Sequence, residues 1–126
     1  MEVKITERGW AGHFICANHC KFRRNTLLEY GDKKWIVSTV GSYNSPITGA
    51  VESIGFNRWY ETMVFEAADM GGYLDAIVEN EIKIDSEWGI WGDTWDEVIE
   101  KYPNVDNWAN DMHEKVVMEM IEKIKL

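Results

Sequence analysis

Cysteine is scarce in this chain: two in 126 residues, Cys16 and Cys20. That is too few for a disulfide scaffold, and a bridge between residues four apart on one strand needs unusual geometry. Reduced thiols are the expectation. Proline is equally scarce, at two, and no low-complexity tract interrupts the chain. With no linker in sight, one domain over 1–126 is expected. No run approaches the roughly 18 apolar residues of a membrane span. The start, Met1-Glu2-Val3-Lys4-Ile5, lacks the apolar segment of a secretory leader. The expected location is therefore the cytoplasm, with no membrane partner. Catalytic signatures are missing too. There is no nucleophile elbow, no phosphate-cradling glycine loop, no His-Glu-x-x-His and no Cys–His pair with a third member. The expectation is a binder that is not an enzyme and needs no cofactor.

What is present is apolar and aromatic. Hydrophobic residues make up 45% and aromatics 13%, with seven tryptophans, enough for a core and too many for a disordered chain. Charge is uneven. Residues 1–35 hold seven bases and four acids, and the other 91 hold six bases and 18 acids, so a +3 start precedes a −12 remainder. The basic end suits an anion. The acidic remainder denies the continuous positive face that a direct grip on nucleic acid requires.

The first two-thirds read as strands. Val3–Thr6 alternates, and Gly12 to Cys16 does so more weakly, after a bend bracketed by Gly9 and Gly12. Thr26–Tyr30 and Trp35–Val40 flank Gly31-Asp32-Lys33-Lys34, a hairpin signature. Residues 41–49 read as a loop. A second hairpin is expected where Val51–Ile54 and Trp59–Phe65 flank Gly55-Phe56-Asn57-Arg58. Its second strand places Glu61 among large apolar neighbours, where a carboxylate needs an edge or a partner. Leu74–Asn80 is ambiguous between helix and strand, and Glu81–Asp85 alternates as a strand.

The last third changes period. Thr94-Trp95-Asp96-Glu97 fits a capping box, for a short helix from Trp95 to about Tyr102 that Pro103 stops. Asp106 suits the N-cap of a longer helix whose stripe is Trp108, Ala109, Met112, Val116, Val117, Met120, Ile121 and Ile124. The stripe runs to the chain end, which predicts packing on the sheet or on another subunit. A homo-oligomer held partly by this helix is expected, with Met112→Asp weakening it. The fold class is α+β: an antiparallel sheet followed by two C-terminal helices.

Several clusters carry chemistry. His13, Cys16, His19 and Cys20 are soft-metal types, but they come from one segment without paired spacing, so no metal site is expected. Lys21-Phe22-Arg23-Arg24-Asn25-Thr26 offers guanidinium forks and neutral hydrogen-bonding groups for a phosphate. On a strand, Arg23 and Arg24 face opposite ways, so only one serves a given pocket. Phe56-Asn57-Arg58-Trp59-Tyr60 mixes arginine and amide with aromatics, suited to stacking a base and holding a phosphate. Asn107, Asn110 and His113 lie at helical spacing and can read a polar ligand edge. Each cluster also has a plain structural reading: a charged strand entry, a cross-strand aromatic cluster and a solvated helix face. The candidate ligand residues are Arg23, Arg24, Asn25, Thr26, Arg58, Tyr60, Asn110 and His113.

The run Ile5-Thr6-Glu7-Arg8-Gly9-Trp10-Ala11-Gly12-His13-Phe14-Ile15-Cys16 and the run Phe22–Leu28 look like small phage and prophage proteins, as do Val37–Gly41 and Tyr60–Met63. The chain resembles the first family of phage anti-Thoeris proteins, the signalling-molecule sponges. That resemblance implies a non-enzymatic oligomer in the host cytoplasm. It would sequester a cyclic ADP-ribose isomer, and in some members cyclic oligonucleotides, without cleaving them. A competing expectation is an acidic inhibitor, of the DNA-mimic or anti-CRISPR type, that binds a host nuclease. It suits the charge of −9, and the last helix carries acids at 106, 111, 114, 119 and 122. Those acids are interleaved with Lys115, Lys123 and Lys125. A phage enzyme of unrecognised chemistry is the third reading.

Overall fold

A computed structural model describes residues 2–8, 20–69 and 71–126. Among the described residues eight strands precede two helices, the antiparallel α+β arrangement expected. The strands are β1 (Lys4–Glu7), β2 (Arg23–Tyr30), β3 (Lys33–Gly41), β4 (Tyr43–Asn44), β5 (Val51–Glu52), β6 (Arg58–Asp69), β7 (Leu74–Ile82) and β8 (Gly89–Trp91). The helices are α1 (Trp95–Lys101) and α2 (Val105–Lys125). The main sheet runs β1-β2-β3-β6-β7, with β8 continuing the β6 edge, and β4 and β5 form a separate pair. The expected strand at Gly12–Cys16, the bend at Gly9 and Gly12, and His13, Cys16 and His19 lie outside the described residues.

Local chemistry explains both main turns. Tyr30 pairs with Lys33, so two residues make the β2–β3 turn, with Gly31 at φ +65°. A glycine at the first central position is what a type II′ hairpin turn requires. The second hairpin closes at Gly55 and Arg58, and both central residues, Phe56 and Asn57, have positive φ, at 53° and 59°. That is the type I′ pattern, which ordinarily selects Asn-Gly rather than a bulky aromatic. Its first strand differs from expectation. Val51 and Glu52 pair back with Asn44 and Tyr43, so part of the anticipated loop is a small hairpin of its own.

One face of the sheet carries α2. Register places Arg24 opposite Thr39, Thr39 opposite Thr62, and Thr26 opposite Val37, all on this face. Towards one end Leu28, Val37 and Val64 pack with Val116, Val117 and Met120 of α2. Towards the other, Phe22, Tyr60 and Ile90 pack with Val98, Ala109 and Met112. The apolar stripe of α2 is thus spent on the sheet of its own chain. Trp108 is the exception, half exposed, with its indole N–H donating to the Pro103 carbonyl at 3.1 Å.

The opposite face buries Leu27, Ile36, Ser38 and Phe65. The sheet path ends at β1 and β7, which a flat sheet would hold roughly 19 Å apart at 4.8 Å per strand. Yet Arg8, just past β1, donates through Nη2 to the Leu74 carbonyl at the start of β7, at 3.1 Å. The ladder between β6 and β7 is broken by a register shift between Phe65 and Ala67. Such a bulge bends a strand and sharpens its twist, which turns the β6–β7 hairpin over this face.

Three details correct the sequence reading. Asp106 is not the N-cap of α2: Asn104, at φ 54°, holds that place, and the helix begins one residue before Asp106. Asparagine tolerates the left-handed turn after Pro103, and Asp106 instead accepts the Tyr60 hydroxyl at 2.7 Å. The ambiguous Leu74–Asn80 is strand, since Gly71 and Gly72 turn the chain straight back on β6. The expected strand over Glu81–Asp85 stops at Ile82 because Glu119 of α2 captures the amides of Asp85 and Ser86, each at 2.7 Å.

Candidate functional site

The candidate residues separate into three places. Arg24, Thr26, Asn110 and His113, though 86 or 87 residues apart in sequence across β2 and α2, meet where helix and sheet touch. Arg23 and Asn25 stand on the other face. Asn25 is buried there, and its Oδ1 has no hydrogen-bond partner among the described residues. Arg58 and Tyr60 begin β6. Thr62, which faces Thr39, is four residues from Arg58, about 13 Å along a strand. The two arginine clusters therefore do not converge within one chain.

At the first place His113 is fully buried, not on a solvated helix face. Its Nε2 lies 2.7 Å from Thr26 Oγ1, and its Nδ1 lies 2.7 Å from Thr39 Oγ1. Thr39 Oγ1 is in turn 2.6 Å from Thr62 Oγ1, and Thr26 donates to Glu7 Oε2 at 2.8 Å. The carboxylate, together with an imidazole that burial keeps neutral, fixes the direction of every bond. Glu7 only accepts, so Thr26 donates to it and receives from His113 Nε2–H. Nδ1 then accepts from Thr39, which accepts from Thr62. Each hydroxyl gives its single proton once, and the imidazole is neutral. Burial, aided by the nearby positive charge of Arg24, lowers the His113 pKa to about 4, against the opposing pull of Glu7 and Glu114.

Arg24 closes this network at the surface. Its Nη2 ion-pairs with Glu7 and Glu114, both at 2.7 Å, and its Nη1 donates to Asn110 Oδ1 at 3.4 Å. Burial would raise the Glu7 pKa, but the bonds from Arg24 and Thr26 outweigh it and hold Glu7 below the ordinary carboxylate range. A guanidinium shared by two carboxylates is a structural tie, not a vacant phosphate site. Sequence reading missed Glu7, Thr39, Thr62 and Glu114. The strand threonines carry no signal beyond ordinary β preference.

The second place is an aromatic end, built by the β6 hairpin, β8 and the start of α1. Phe56, at the strained turn, is 92% exposed, and the Arg58 guanidinium lies 5.9 Å from its ring centre. Arg58 Nη1 pairs with Glu61 at 2.7 Å, which gives the buried Glu61 carboxylate the partner it required. Across the ladder Trp91 is in register with Arg58 and meets Trp88 edge-on, ring centres 5.0 Å apart. Gly89 makes room: a Cβ there would run into the Trp91 ring. Asn57 anchors the hairpin by donating to Asp93 at 3.1 Å, and Trp59 donates to the Gly92 carbonyl at 2.7 Å. Next to this end lies a cleft of about 290 Å³ lined by Glu61, Met63, Glu81, Ile82, Lys83 and Trp88, among others. Tyr60 points to α2, where burial and Asp106 raise its pKa.

Among the described residues, no group of three or more His, Cys, Asp and Glu is arranged to hold a metal ion. No described helix is long and apolar enough to cross a membrane. No family model, curated protein or solved structure matches this chain.

Proposed function

We propose that the protein acts by binding rather than by catalysis, and that its aromatic end holds a nucleotide-type anion. The class of ligand is a cyclic ADP-ribose-like or cyclic oligonucleotide signal, sequestered and released unchanged. One observation carries this reading: Phe56 stands exposed in a left-handed turn conformation that disfavours it, with an arginine beneath its ring. Strain of this kind persists where the exposed group has work to do. An aromatic face stacks a base, and the arginine beside it meets the phosphate. A second copy closing over Phe56 would supply the enclosure that sequestration needs.

Calorimetry against cyclic ADP-ribose isomers and cyclic dinucleotides tests the reading. A charge-assisted hydrogen bond contributes about 1.5–3 kcal/mol. Arg58→Ala should therefore weaken binding roughly 10- to 100-fold. Mass spectrometry of heat-released ligand should return the input mass. Silence with every nucleotide, or a chemically altered ligand, overturns the proposal.

A second reading is favoured by a different surface. Residues 66–87 hold seven acids, all exposed, and one lysine. That concentration suits an acidic inhibitor docking on the basic surface of a host nuclease.

A further inference from the structure

We propose that a second cavity, where the first half of α2 meets the end of α1 and the start of β8, is a cation site that takes a trimethylammonium group. It holds about 100 Å³ and shares no lining residue with the aromatic end around Phe56 and Arg58. Trp108 points to it. This tryptophan belongs to the stripe of α2, yet it is 49% exposed. Its indole N–H is spent on the Pro103 carbonyl, which holds the ring in place. Tyr102, the C-cap of α1, meets it with ring centres 5.4 Å apart and ring planes 76° apart. Both rings line the cavity, so two aromatic walls stand nearly at right angles. The buried side chains of Ile90 and Met112 line it as well. Two exposed carboxylates, Glu87 and Asp111, complete the lining with Lys115. Neither carboxylate is in an ion pair among the described residues.

The lining decides the ligand. Aromatic faces are electron-rich and attract a cation, and two faces at a right angle surround a round cation better than one. The two carboxylates outnumber Lys115, so the cavity favours a positive group and disfavours a phosphate. Aromatic faces, an isoleucine and a thioether are poor hydrogen-bond acceptors. A primary ammonium entering here gives up water for its three N–H donors and finds few partners, which is costly. A trimethylammonium group has no donor to satisfy, and its methyl groups are themselves apolar. Size agrees. At roughly 30 Å³ per water, the cavity equals about three waters, which suits such a head and is too small for a base. Lys101 lies 5.5 Å from the Tyr102 ring centre but does not line the cavity, so it leaves the site open. Lys115 opposes the ligand, and its removal should strengthen binding.

The test titrates the full chain with choline and with Nε-trimethyllysine, following the Trp108 indole N–H by NMR. Two carriers are used because both present the same head, and the tighter one names the source. Ethanolamine and lysine are the unmethylated controls. The third control, 3,3-dimethyl-1-butanol, has the shape of choline without its charge. At least one methylated probe should bind about 10-fold or more tightly than its unmethylated counterpart, and choline should exceed the neutral isostere. Trp108→Ala should remove binding. Because that variant also loses the bond to Pro103, two exposed positions provide further arms. Asp111→Asn should weaken binding and Lys115→Met should strengthen it, each roughly two- to fivefold. A neutral isostere that binds as tightly as choline overturns the cation assignment. So do shifts confined to other tryptophans, or no shift with either methylated probe. Unchanged affinity in both Asp111→Asn and Lys115→Met also overturns it.

Discussion

His113 shows how one residue sets a condition on the whole fold. Burial keeps the imidazole neutral, so its Nδ1 accepts from Thr39. The folded pKa, about 4, lies below the unfolded value of 6.5, so the unfolded state binds the extra proton first. Stability is therefore full above pH 6.5 and is lost as pH falls through the window down to about 4. Between pH 7 and pH 4.5 the loss should be about 2–3 kcal/mol, read from urea midpoints. His113→Gln should remove the loss in that window; an unchanged slope would mean that another group titrates. Phe56 makes the opposite statement, since its side chain costs stability where it stands. Phe56→Gly relieves a left-handed conformation that is unfavourable by about 1–2 kcal/mol for a residue with a Cβ. The variant should melt higher and bind nucleotide less well. A lower melting temperature would mean that the ring supports the fold instead.

At the level of elements, what was legible in the sequence was local. Gly31-Asp32 announced its turn because only two residues and one positive φ define it. The Thr94 box held because its bonds span three or four residues: Thr94 Oγ1 accepts from Glu97 N–H, and the Glu97 carboxylate accepts from Asp93 N–H, one residue earlier than anticipated. The stripe of α2 was legible as a stripe but not for what it covers, because helical periodicity gives a face and no partner. The structure seats Met112 in a cluster with Phe22, Tyr60 and Ile90 of its own chain. Met112→Asp should consequently unfold the chain instead of merely separating copies. The loss of helical circular dichroism should be the same at 1 and 100 times a working concentration. A folded, dissociated variant would return the stripe to an interface. Illegible altogether were the joins across long separations: Arg8 to Leu74, Glu119 to the 85–86 amides, and Arg24 to Glu114. Each is an ordinary charged residue whose partner lies elsewhere in the chain.

For the whole molecule, charge is distributed as two opposed ends of an argument. The arginines of the two candidate clusters are divided between a saturated tie at Arg24 and the aromatic end at Arg58. Arg23 and Arg24 face opposite ways, as alternation on a strand predicts, and the one nearest α2 is consumed by Glu7 and Glu114. The acids of 66–87 lie on and around the outer strand β7. Reversing Asp75 and Glu79, exposed acids of β7 that do not line the cleft, to lysine together separates the two functional readings. A nucleotide binder should keep its affinity for cyclic nucleotides within about twofold, since exposed charges beyond a Debye length are screened. An acidic inhibitor should lose capture of its nuclease, with the loss concentrated in the association rate. Nucleotide affinity that collapses in this variant counts against the aromatic end as the site.

The one-way chain from Thr62 through Thr39 and His113 to Thr26 and Glu7 has a consequence for how this sequence can drift. Every hydroxyl there has one proton and one assigned recipient, so the four buried positions behave as a word and not as letters. Replacing any one alone strands a buried neighbour, whereas replacing both ends of a buried polar contact with apolar groups of like shape can be nearly neutral. Divergent versions of this protein should carry the three threonines and the histidine together, or four apolar side chains in their place, with the half-changed spellings missing.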